Sequence, residues 1–135
     1  MNNYLLHLSL IIPLFVGGCK KKDDCTAGMG GKLTIVAKTL HHTKPIPGCT
    51  FYVKYCAKDF PGENNLSSFD KTYKISNDST EITISNLQNG EYYLYATGID
   101  SSLDPTNNIV KGGIPFNTEQ KEGTIKITVP ITEGD

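Results

Sequence analysis

The chain has 135 residues, with 13 basic and 14 acidic side chains, a formal net charge of −1, and Lys as its only basic residue type besides three His. With no basic excess and none of the Arg forks that grip phosphates in two places, this composition argues against nucleic acid as a partner. Four cysteines are present, and what they do depends on the compartment, which the N-terminus addresses.

Residues 4–16 read YLLHLSLIIPLFV. This apolar run is too short to span a bilayer, which takes roughly 20 residues, but it suits the core of a signal peptide. Val16-Gly17-Gly18-Cys19 follows and resembles the lipobox of bacterial lipoproteins, in which small residues precede a cysteine that is cleaved free and acylated. The resemblance implies that residues 1–18 are a removed leader and that Cys19 becomes a lipidated N-terminus. It further implies an outer-membrane location, on the periplasmic face or the cell surface, with membrane lipid as the first partner. The charged run Lys20-Lys21-Lys22-Asp23-Asp24 cannot bury apolar surface, so 19–29 reads as a solvated tether.

Removing the leader leaves about 115 residues, enough for one domain with a real core. From residue 30 to the end, short segments with apolar residues at every second position are separated by clusters of Gly, Pro, Asn and Asp, which is an all-β pattern. Strands are expected over 32–40, 50–57, 71–76, 81–85, 91–98, 109–115 and 124–131. Seven one-faced strands call for two packed sheets, because a single open sheet would leave its apolar face wet. The expected fold over 30–135 is therefore a seven-stranded antiparallel β-sandwich. Asn89-Gly90 is a tight-turn pair. Beyond it Tyr92, Leu94 and Ala96 should point inward, with Tyr93 and Tyr95 on the other face of a central strand.

Two segments also carry a family resemblance. Gly31-Lys32-Leu33-Thr34-Ile35 with Pro45-Ile46-Pro47-Gly48-Cys49-Thr50-Phe51-Tyr52-Val53 is similar to the opening of carboxypeptidase-regulatory-like and collagen-adhesin B-type repeats. Ile84-Ser85-Asn86-Leu87-Gln88-Asn89-Gly90-Glu91-Tyr92-Tyr93-Leu94-Tyr95-Ala96 looks like their second signature. The resemblance implies a transthyretin-like or Ig-like sandwich. Transthyretin-like folds include a purine-pathway hydrolase that uses His, Arg and a terminal Tyr-Arg-Gly-Ser, whereas this chain has no Arg and ends Thr132-Glu133-Gly134-Asp135. No enzyme and no cofactor are expected.

Three cysteines remain in an exported, oxidising context, which suggests one disulfide and one buried thiol. Cys49 and Cys56 are seven residues apart on one expected strand, about 23 Å in extended chain, well past the reach of a disulfide. If 32–40 and 50–57 pair as a hairpin, Cys25 comes near Cys56, so the expected disulfide is Cys25–Cys56. Cys49 then reads as a small buried hydrophobe.

Among candidate sites, His41-His42 could hold zinc or copper if the turn curled the rings together and Asp59 or Glu63 approached; the plainer reading is a polar loop. The acids at 59–63 and 100–104 lack the Asp-x-Asp-x-Asp-Gly pattern of calcium loops. Ser79, in Asp78-Ser79-Thr80, resembles an O-glycan acceptor. Tyr52, Tyr93 and Tyr95 could stack on a sugar, although on a strand such rings usually pack across to neighbours. The expected function is a non-enzymatic structural or binding module at the cell envelope, meeting an envelope protein or a glycan through loops that include His41-His42 and Gly112-Gly113. The alternative is a carbohydrate- or metal-binding accessory lipoprotein.

Overall fold

The computed structural model describes residues 25–134; residues 1–18, expected to be a leader, and the expected lipidation site Cys19 lie outside them. The described chain is all-β: β1 (Met29–His41), β2 (Lys44–Pro45), β3 (Thr50–Tyr55), β4 (Lys71–Lys74), β5 (Glu81–Leu87), β6 (Gly90–Ile99), β7 (Ile109–Thr118) and β8 (Glu122–Glu133). A 3₁₀ turn, Glu63–Ser68, interrupts the connection between β3 and β4. All seven expected strands form, and the two-residue β2 is added.

The strands make one mixed, curled sheet in the order β2-β1-β8-β7-β6-β3-β4, with β5 also on β1. β7 and β8 pair only at Val110↔Glu133 and Lys111↔Thr132 and then part, so the sheet folds over at that line. Leu33, Ile35 and Ala37 of β1, Ile84 of β5 and Val129 of β8 thus share one core with Phe51 and Val53 of β3 and Tyr92, Leu94 and Ala96 of β6. β6 lies between β3 and β7, the central place that its two apolar faces require.

Two expectations are corrected. The pairing is not all antiparallel, because β1 and β8 run parallel over ten residues, from Lys32↔Glu122 to His41↔Ile131. Alternation shows which face of a strand is buried but not the direction of its neighbour, and one-faced strands are antiparallel in most sheets. Nor do the first two long strands form a hairpin. β1 turns through His42 and Thr43 into β2, pairing only Leu40↔Pro45 and His41↔Lys44. Pro45 and Pro47 lack the N–H that a continuing ladder needs, and Gly48, at φ +70°, turns the chain across to the other half. There β3 pairs with β4 and β6.

Tyr93 and Tyr95 face away from the main core, as read from sequence, and are covered rather than open. Phe69, Leu66 and Ala57 of the β3–β4 connection pack on them beside Tyr52, and the Phe60 ring stacks 4.7 Å from Tyr95. They form a second small core on the outer face and present no bare sugar platform.

Candidate functional site

Cys25 and Cys56 are joined by a disulfide, with Cα atoms 5.7 Å apart. With the hairpin absent, another route brings them together. The lead-in to β1 lies over the β5–β6 turn, where Thr26 Oγ1 donates to the Asn89 carbonyl and Gln88 N–H donates to Gly28. The N–H of Cys56 donates to Glu91, so β6 mediates the meeting. The chain is thus bonded to the domain from Cys25, four residues before β1 begins. This pole also holds Asp59, in a cleft beside the disulfide.

At the opposite pole three inward-facing rows run out together. On β1 the row Leu33, Ile35, Ala37 continues to Thr39 and His41, all buried; on β6 Tyr92, Leu94 and Ala96 lead through Gly98 to buried Asp100; on β8 Val129 and Ile131 lead to half-buried Glu133. Period-two alternation therefore aims His41, Asp100 and Glu133 into the same end of the core. His41 and Asp100 are each only 3 % exposed, so their polar atoms need partners.

They find most of them in each other. His41 Nδ1 lies 2.8 Å from Asp100 Oδ2. Asp100 Oδ1 accepts from Lys44 Nζ at 3.0 Å, Ser102 N–H at 2.9 Å and Ser102 Oγ at 2.6 Å. These donors, Ser102 foremost and then His41, hold the Asp100 carboxyl well below the usual carboxylate range. The His41 pKa is raised, chiefly by Asp100 and then by Glu133, against the opposing pull of burial. Glu133 Oε2 sits 3.0 Å from His41 Nε2, yet Nε2 makes no hydrogen bond among the described residues. The Glu133 carboxyl is held down by its own backbone amide and then by His41.

His42 completes the group. Its φ of +53° is the left-handed setting that two-residue hairpin turns demand, and it folds the exposed ring back until the two imidazole centroids are 4.4 Å apart. Neighbours that would diverge along an extended strand therefore stand side by side. The carboxylates near them are Asp100 and Glu133, not Asp59 or Glu63: Asp59 is at the disulfide pole, and Glu63 pairs with Lys111 Nζ at 2.7 Å.

The remaining candidates have local roles. Asp104 Oδ1 accepts from Thr106 N–H and Oγ1, which closes its own turn. Ser79 lies between β4 and β5, half-buried, its Oγ donating to the Glu81 carbonyl. Cys49 is a buried free thiol, 3.3 Å from Thr39 Oγ1, and burial pushes its pKa up. Gly112 and Gly113 are not loop residues but lie within β7; a Cβ at Gly112 would run into the Pro130 carbonyl.

Compared with protein-family models, curated proteins and solved structures, the chain has no match.

Proposed function

We propose that this chain is an exported lipoprotein, held to the outer membrane by acyl groups on Cys19, that carries a non-enzymatic binding module of the transthyretin-like or Ig-like β-sandwich type. The observation that carries the reading is the Cys25–Cys56 disulfide. Such a bond persists in oxidising compartments outside the cytosol, which agrees with the apolar leader and the Val16-Gly17-Gly18-Cys19 cleavage pattern. The two halves of the curled sheet around one core support the sandwich.

Position supports binding rather than anchoring as the work of the far pole. Only five residues separate Cys19 from Cys25, at most about 20 Å of extended chain, so the disulfide end is kept near the lipid. β1 then runs thirteen residues, about 40 Å, before it reaches His41. The loops after β1 and β6 lie at the pole opposite this attachment, where an envelope protein or a glycan would be met.

Intact mass of the membrane-purified protein, with thiols alkylated in denaturant before and after reduction, tests this reading. The expected result is the chain from Cys19 plus acyl groups, with one thiol labelled before reduction and two more after. A mature chain without lipid, or one that still carries residues 1–18, would refute the anchor.

A further inference from the structure

The far pole has a chemistry of its own that a generic contact surface does not need. His41, His42 and Glu133 each offer one ligand atom, and the three atoms lie within 4.8 Å of one another. From this convergence we infer that the chain binds a divalent transition-metal ion, with His41 Nε2, a His42 ring nitrogen and a Glu133 carboxylate oxygen as protein ligands. The inference does not depend on the lipid anchor.

The buried Nε2 of His41 is the decisive atom. Asp100 is fixed as an acceptor by Ser102 and Lys44, so the proton at Nδ1 belongs to the contact with Asp100. In the neutral ring Nε2 then turns a lone pair toward the 3.0 Å-distant carboxylate of Glu133. Two acceptors this close need positive charge between them. A proton would serve if Nε2, hydrogen and Oε2 were in line, but Nε2 forms no hydrogen bond among the described residues. A metal ion serves with the oxygen off that line: it sits on the ring axis and the carboxylate reaches it from the side. With Zn–N and Zn–O bonds of about 2.0–2.2 Å, tetrahedral donors are about 3.3 Å apart. His41 and Glu133 are already near that separation, and the exposed His42 ring is free to close the rest.

The surroundings fit. A carboxylate on the far nitrogen of a ligating imidazole is the usual outer support of a metal-bound His, fixing its tautomer and raising its basicity; Asp100 holds that place. Two imidazoles and one carboxylate suit zinc, copper or nickel, whereas calcium takes six or more oxygen ligands. His41, His42 and Glu133 line a solvent-open cleft together with Thr43, Lys44 and Leu103, so a donor from outside the chain can complete the coordination.

The test is Zn²⁺ binding to the chelator-stripped full chain, by equilibrium dialysis with elemental analysis, and Co²⁺ absorption as a readout of geometry. His42→Asn removes a ligand while Asn tolerates the left-handed turn, and Glu133→Gln removes the charge at constant size. Thermal melting of both variants verifies that they are folded. One zinc per chain is expected, with tetrahedral Co²⁺ bands, and each variant should weaken binding at least about tenfold, the loss that even an outer-shell partner causes. No binding at ~100 μM free zinc, or binding that survives either substitution undiminished, would overturn the assignment.

Discussion

His41 Nδ1 and Asp100 Oδ2, 2.8 Å apart and buried, join the end of β1 to the residue after β6, across the two halves of the curled sheet. Because Asp100 already accepts from Ser102 and Lys44 and remains ionised, it accepts a hydrogen bond from His41 Nδ1–H, which places the ring proton on Nδ1. Free neutral histidine carries its proton mainly on the other nitrogen. Long-range ¹H–¹⁵N correlation spectra of the metal-free protein, above the raised His41 pKa, should therefore show the Nδ1–H form. Asp100→Ala should abolish that preference and lower Tm by several degrees, since it strips Ser102, Lys44 and His41 of one shared acceptor. A His41 ring in the common Nε2–H form would contradict the geometry.

Just below this pair, Gly98 gives its side-chain space to Cys49. A Cβ at position 98 would lie 2.5 Å from Cys49 Sγ and 3.2 Å from Ile46 Cγ2. Gly98→Ala should cost about 1–3 kcal/mol through overpacking. Cys49→Ala in the same chain removes the sulfur and should recover most of the loss, so the two substitutions are non-additive in urea unfolding. Equal cost with and without Cys49 would mean that the backbone, not the contact, governs the site.

The strands were legible because each carries its own local signal, apolar residues at alternate positions between turn residues. Their partners were not, since pairing is decided by how distant segments share a core. The Cys25–Cys56 link shows the difference: the hairpin assumed for it does not exist, and the cysteines meet through the β5–β6 turn. The polar cluster also has a signal in the sequence. The inward alternation runs on past its last apolar residues, Ala37, Ala96 and Ile131: two further inward steps reach His41 on β1, two reach Asp100 through Gly98 after β6, and one reaches Glu133 on β8. What no local pattern supplies is the parallel register of β1 on β8, which sets the ends of those rows at one pole.

The disulfide closes a loop between residues 31 apart in sequence. Chain entropy alone predicts that opening it costs about 3–4 kcal/mol, a figure that depends on the loop-closure model. Cys25→Ala with Cys56→Ala should lower the unfolding free energy from urea titration by that amount while leaving zinc affinity intact, since His41, His42 and Glu133 are at the other pole. An unchanged value would mean that the hydrogen bonds of Thr26 and Gly28 hold the lead-in without the bond.

Two tyrosines with similarly raised pKa values should respond oppositely to loss of the hydroxyl. Tyr55 is pushed up to about 12, first by burial and then by its neighbours Tyr73, Asp70 and Tyr92; Tyr95 is pushed up to about 12 by burial and then by Glu63. In both, the folded state favours the protonated phenol relative to an ordinary tyrosine near 10. Their contribution is complete below about pH 10 and is lost as pH rises from there toward 12. Absorbance at 295 nm should show their ionisation only in that window, accompanied by unfolding. The hydroxyls themselves differ: Tyr95 donates to Glu63 Oε1 at 3.3 Å, whereas the buried Tyr55 hydroxyl has no partner among the described residues. Tyr55→Phe should thus stabilise the domain at pH 7, by on the order of 1 kcal/mol, because an unsatisfied buried polar atom is removed. Tyr95→Phe should destabilise it, and each variant should flatten the alkaline limb of the stability curve. If Tyr55→Phe were the destabilising member of the pair, its hydroxyl would have to find a partner in solution, and the packing of Tyr55 edge-on to Tyr92, 5.7 Å between centroids, would need to open enough to admit it.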